Sequence, residues 1–152
     1  MTSLQRWWGQ WRALGSGQKQ VLLAAWFLMP LFSTGLHLFG LQRWRALLPR
    51  PAKALPANPT PDATETARLV NLSARRSLLH ASCLTRSVLL EWMLSRRGLA
   101  VDLCIGVRLV GGKLDAHAWI EAGGNPINDE RDIAERYPPL LAQGTVAPAH
   151  FS

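Results

Sequence analysis

Residues 82–110, SCLTRSVLLEWMLSRRGLAVDLCIGVRLV, decide the fold, because within them the apolar period changes from helical to extended. Ser82 carries the short hydroxyl favoured at a helix N-cap. Arg96 and Arg97 place cations in a last turn, and Gly98 is a stop signal, so the spacing predicts a helix from the Ser82 cap to Gly98. Its apolar residues lie on two faces, Leu84, Val88 and Trp92 on one and Leu90, Met93 and Leu94 on another, which marks a central, buried helix. From 99 to 110, Val101, Leu103, Ile105, Val107 and Leu109 alternate with Ala100, Asp102, Cys104, Gly106 and Arg108, the period of a strand.

Downstream, Gly111-Gly112 predicts a hairpin into LDAHAWIEA, and Gly123-Gly124 a second one into NPIND. Upstream, TETARLVNLSARRSLL predicts a helix over 63–79 capped by Asp62 or Thr64, with Ala67, Val70, Ala74 and Leu78 on one stripe. The pattern is two helices followed by a three-stranded antiparallel meander, an α+β arrangement with no internal repeat.

Further upstream, no charged residue falls between Gln20 and Gln42, a length sufficient for a bilayer, which needs about 20 apolar residues. Pro30, Ser33, Thr34, Gly35 and His37 interrupt that stretch, so it reads as two helices, 18–31 and 34–48. Trp7, Trp8 and Trp11 beside Arg6, Arg12 and Lys19 also suit a membrane interface. Packed helices, attachment to a membrane surface and a true span all stand as readings; a secretory signal fits poorly, since no A-x-A-like site follows. Residues 49–62, PRPAKALPANPTPD, hold five prolines in fourteen positions and read as a linker. The expected organisation is an apolar helical region over 1–48, the linker over 49–62, a domain over 63–137 and a tail over 138–152.

The chain has 152 residues, and 17 Lys and Arg against 10 Asp and Glu give it a net charge of +7. The arginines are scattered and no nucleic-acid-binding module is present, which argues against nucleic acid as a partner. The two cysteines, Cys83 and Cys104, show no CxxC or His/Cys metal spacing, so neither a disulfide scaffold nor a zinc site is expected, and a reducing, cytoplasmic setting fits. No cofactor is called for.

Cys83 opens the central helix, where unpaired backbone N–H groups and the positive end of the dipole favour a thiolate, the form that attacks carbonyls. A histidine would complete such a nucleophile, and a third residue would orient the imidazole. His117 in the second strand and Asp129 in the third lie on opposite arms of the Gly123-Gly124 hairpin. A three-residue loop, Ala122-Gly123-Gly124, sets them directly opposite one another, whereas a two-residue turn pairs Asp129 with Ala118 and sends it to the other face, so the chemistry predicts the odd-numbered loop. Trp119 shares the His117 face and either shields the site or packs the core. Glu121 either meets substrate or is solvated. Cys104 reads as core, Arg86 and Ser87 receive no role, and His37, His80 and His150 receive no assignment.

CLTRSVLLEWMLSRRGLAVDLCIGVRL followed by DAHAWIEAGGNPIND closely resembles the transglutaminase-like cysteine peptidase of lasso-peptide biosynthesis, the leader-cleaving "B" protein. The hallmarks of that family are a C-L-x-R-S helix, a G-V strand and an H-A-W-[VI]-E strand, and the likeness covers about residues 63–132. The resemblance implies a papain/transglutaminase-like core, a catalytic helix packed on a small antiparallel sheet, and a triad of Cys83, His117 and Asp129. The apolar helical extension is similar to that of stand-alone protease members. Nothing resembles the winged-helix peptide-recognition domain that some members carry, so the resemblance implies a separate leader-recognition protein as partner. It also implies a precursor peptide as substrate, an ATP-dependent lasso cyclase acting next, and a location in the cytoplasm, free or peripheral to the inner face of the membrane. A transglutaminase-like acyltransferase or amidase, and a non-catalytic membrane tether, are the competing readings.

Overall fold

In the computed structural model Ser82 Oγ accepts from the Thr85 backbone N–H at 3.1 Å, and the helix that this cap starts is the centre of the molecule. Residues 3–49, 61–77, 79 and 81–142 are described; most of the linker, Leu78, His80, His150 and the last ten residues of the expected tail lie outside them. In chain order the elements are α1 (Ser3–Ala13), α2 (Ser16–Leu47), α3 (Ala63–Ala74), α4 (Cys83–Ser95), β1 (Asp102–Val110), β2 (Lys113–Ala122), β3 (Asn125–Pro126), α5 (Ile133–Arg136) and β4 (Pro139–Ala142).

The α+β class and the helix-on-sheet core are as the period predicts. Val88, Leu89, Leu90 and Leu94 of α4 are fully buried and share one apolar cluster with Ala67, Leu69 and Val70 of α3 and with Leu103, Ala118 and Ile120 on one face of the sheet. Residues at alternate positions of β2 therefore face opposite ways: Ala118 and Ile120 face the helices, while Trp119 joins Cys104, Ile133 and Tyr137 in a second, smaller cluster. α3 begins as expected, with Asp62 accepting from the Glu65 N–H at 2.7 Å, but ends at Ala74, five residues before the expected Leu79.

Two helices over 18–31 and 34–48 are not what forms. One helix continues through Pro30, and the break comes at Gly40, whose φ of 75° and ψ of 168° lie in a region essentially reserved for glycine. The chain reverses there and lays the Trp44 indole over Gly35, where a Cβ would sit 2.5 Å from the ring. Phe32 meets the same indole edge-on at 5.6 Å. Val21, Ala25, Met29 and Phe32 enter the main cluster, each large side chain contributing about 1.5–3 kcal/mol of burial. Polar ties reinforce the docking: Ser73 Oγ donates to the Leu22 carbonyl at 3.0 Å, Gln18 Nε2 donates to Glu65 at 2.7 Å, and Arg45 pairs with Glu91. α2 is thus built into the same core as α3 and α4.

The sheet has four strands in the order β3-β2-β1-β4, all antiparallel. The extra strand, β4, comes from residues read as tail and pairs with β1 across a register shift at Ile105/Gly106. Gly106 is the reason that the shift is possible, since a Cβ there would lie 2.3 Å from the Tyr137 carbonyl oxygen. The predicted third strand shrinks to Asn125–Pro126, and the Gly123-Gly124 turn has two residues, pairing Ala122 with Asn125 and Glu121 with Pro126. Both glycines have positive φ, 58° and 78°, as the two-residue turn that matches strand twist requires. The odd-numbered loop expected from the chemistry does not form.

Candidate active site

Once the turn has two residues, strand pairing alone would carry Asp129 away from His117. The chain instead leaves the ladder after Pro126 and bends through 127–129. The bend is held by Asn128, whose side-chain Oδ1 accepts from the Ile120 N–H at 2.8 Å in place of a strand partner. Its Nδ2 donates to Ser87 Oγ at 3.1 Å, and its carbonyl accepts from Asn71 Nδ2 at 3.0 Å. Fixed on three sides, Asn128 delivers the next residue to the imidazole: His117 Nε2 and Asp129 Oδ2 are 2.6 Å apart. The other oxygen, Asp129 Oδ1, accepts from the Glu130 N–H at 2.9 Å, so the carboxylate is held at both ends. Both side chains keep about a fifth of their surface exposed, 21% for His117 and 22% for Asp129, which leaves the pair open to a ligand.

Cys83 is the first residue of α4, half-buried and not in a disulfide. One turn on, about 5.4 Å along the axis, the fully buried Ser87 donates its hydroxyl to the carbonyl of Ala118, neighbour of His117, at 3.1 Å. Ser87 therefore clamps the start of α4 to β2 beside the imidazole. Among the described residues no hydrogen bond joins the thiol to His117. Asp129 occupies Nε2, so Nδ1 is the nitrogen left to face a nucleophile.

Ser87 and Arg86, given no role from sequence, are both part of this frame. Arg86 reaches Asn71 Oδ1 at 3.5 Å and so helps orient the amide that holds Asn128. Asn128 and Asn71 were missed as well; the signal that could have found Ser87 is its i+4 spacing from Cys83, which puts both on one helix face.

Tyr137, also missed, packs its ring 5.0 Å from the imidazole and donates its hydroxyl to Asp115 Oδ2 at 2.8 Å. Arg108 donates to the same oxygen at 3.0 Å and lies 4.3 Å over the Tyr137 ring. The tyrosine hydroxyl first, and the guanidinium second, hold the Asp115 carboxyl below its ordinary value, and the same hydrogen bond pushes the Tyr137 phenol up. Trp119 has no exposed surface, its indole N–H donates to Glu121 at 2.8 Å, and its ring stacks 6.5 Å from that of His117. Cys104 is core, and burial, followed by the nearby Glu121 charge, pushes its thiol up to about 12. Among the described residues no group of three His, Cys, Asp or Glu side chains converges on a point that could hold a metal.

A groove of about 560 Å³ opens beside Asp129, lined by Thr64, Arg68, Asn71, Arg75 and Arg86 on the helical side. A family model described as the transglutaminase-like superfamily matches residues 26–142, from within α2 to the end of β4. Comparison with curated proteins and with solved structures finds no match.

Proposed function

The chain belongs to the transglutaminase-like superfamily, and on that premise we propose that it is a cysteine endopeptidase that removes the leader from a ribosomally made lasso-peptide precursor. It works with a separate leader-recognition protein and passes its product to an ATP-dependent cyclase. The observation that carries the reading is the 2.6 Å contact between His117 Nε2 and Asp129, on a strand that Ser87 ties to the helix opened by Cys83. The residues Cys-L-x-R-S and H-A-W-I-E, in that order, support the choice of substrate class.

In this mechanism Asp129 accepts a hydrogen bond from Nε2–H, which fixes the tautomer and leaves Nδ1 as the base. Cys83 gives its proton to Nδ1 and attacks the scissile carbonyl, and the unpaired N–H groups of the first turn of α4, that of Cys83 among them, hold the oxyanion. His117 returns the proton to the leaving amine, which departs as the new N-terminus of the core peptide. Water, deprotonated by His117, then attacks the thioester and frees the leader as a carboxylic acid. The groove beside Asp129 takes the peptide, and Arg75 and Arg86 favour an acidic stretch within it.

The test is incubation with a precursor peptide and its leader-binding partner, reading product masses. Cleavage into leader and core, lost in Cys83→Ala and His117→Ala with the fold intact, is the expected result. Cleavage retained in either variant rejects the triad. Transfer to an added amine in preference to water makes the enzyme an acyltransferase instead.

A further inference from the structure

α2 has two apolar faces, and only one is used by the fold. At about 100° per residue, Val21, Ala25, Met29 and Phe32 share the side buried against α3 and α4. Leu23, Phe27, Leu31 and Leu38 fall within about 80° of one another on the opposite side, and all four are exposed, Phe27 by 69% and Leu38 by 67%. The stripe runs about 22 Å along the helix and ends just before the break at Gly40.

The segment of sequence that carries this stripe is cationic and rich in tryptophan. Residues 1–61 contain no Asp or Glu and seven of the 17 Lys and Arg, whereas the rest of the chain balances ten against ten, so the whole net charge of +7 belongs to the N-terminal region. Arg12 and Arg43 are exposed, Trp8 of α1 is 57% exposed, and Lys19 lies 5.9 Å over the Trp11 ring. Beside the stripe, Trp11, Leu22, Leu23, Trp26, Leu72 and Arg76 line a groove of about 330 Å³ that is almost wholly apolar.

We infer that this face lies on a membrane surface bearing anionic headgroups, with the stripe at the level of the upper acyl chains and the cations among the phosphates. An exposed apolar helix face edged by tryptophan and Lys or Arg is the pattern of an interfacial helix, and a positive region without a single acid complements an anionic bilayer and no neutral one. By length and composition α2 could cross a bilayer. It does not span here, because Met29, Phe32 and Trp44 would have to leave the core that they share with α4. The helix lies in the interface and carries the domain above it. This inference does not depend on the peptidase reading.

Sedimentation of the full chain with vesicles tests it, using phosphatidylcholine alone against phosphatidylcholine mixed with phosphatidylglycerol. Binding to the anionic vesicles at least about tenfold above the neutral ones is expected, falling in about 0.5 M salt, where the screening length shrinks toward 3–5 Å. Phe27→Glu with Leu31→Glu, and separately Arg12→Glu with Arg43→Glu, should each lower binding about tenfold while leaving the circular dichroism unchanged, since all four side chains are exposed. No sedimentation with either vesicle, or equal binding by both double variants, overturns the inference. So does a concentration-dependent dimer in vesicle-free buffer that Phe27→Glu with Leu31→Glu dissolves, which would make a second copy the partner of this face.

Discussion

The side-chain amide of Asn128 donates to Ser87 Oγ at 3.1 Å, joining the residue before Asp129 to the residue one helical turn beyond Cys83. Three chain segments that are distant in sequence are thereby set by one buried hydroxyl, which also donates to the Ala118 carbonyl beside His117.

Ser87→Ala should accordingly do more than delete a contact. It leaves the Asn128 amide without its acceptor and the Ala118 carbonyl without its donor, a loss of about 1–3 kcal/mol of stability on urea unfolding. Turnover should fall with little change in KM, because the lost tie holds catalytic groups and not substrate. Asn128→Ala should show the same split. An unchanged kcat in both variants refutes the positioning role.

The two thiols should separate cleanly under iodoacetamide at neutral pH. Cys104 is buried and its thiol is held near 12, so its thiolate is scarce, whereas Cys83 is partly exposed at a helix start. One adduct should form, mapped by mass to residue 83, at least about a hundredfold faster than any second one. Cys83→Ser should take none on that timescale.

Tyr137→Phe probes the Asp115 pair by pH. The folded state lowers the carboxyl of Asp115 from its usual 3.8, so this pair stabilises the fold above that pH and stops doing so as pH falls through the lower folded value. The Tyr137 phenol is raised from 10.0, so its contribution persists up to that pH and is lost as pH climbs through the higher folded value. The variant should therefore be less stable than the wild type at pH 6, with the gap in urea midpoint narrowing toward pH 2 and again above pH 11. A gap of constant size across that range contradicts the linkage.

Gly106→Ala places a methyl group 2.3 Å from the Tyr137 carbonyl oxygen, a backbone atom that cannot turn aside. Either β4 or the Tyr137 segment must move, at a cost of about 1–3 kcal/mol. The displacement should also draw Tyr137 from its place 5.0 Å from His117, visible as a shifted His117 ring resonance by NMR. Gly9→Ala, where nothing lies within 4 Å, is the control and should leave both readings unchanged.

Local rules made α4, β1 and β2 legible in the sequence. Ser82 caps its helix by a contact three residues away, and the alternation through 101–109 needs only the pleat. The meeting of His117 with Asp129 was anticipated for the wrong reason: a ladder register was assumed, while the contact comes from a bend held by Asn128, whose three partners lie 8, 41 and 57 residues away. The sequence puts the interruption at Pro30 to His37, yet the break forms at Gly40, because a proline's ring is visible in the sequence and a glycine's conformation is set by what the chain packs against afterwards. β4 and Tyr137 were illegible for a similar reason. Four residues beginning with a proline carry no period, and it is the bare Cα of Gly106, far earlier in the chain, that admits them.

The double use of α2 sets a rule for handling the molecule. Shaving off its greasy N-terminal third to gain solubility would remove the keel on which Phe32 and Trp44 are mounted, so the trimmed product should come out misfolded. Detergent micelles or charge-bearing substitutions confined to the outward stripe are the productive route to a tractable sample. On the membrane reading, a bilayer that grips the outer side of this rod also braces its inner side, so anionic lipid should raise the melting temperature of the domain built on it.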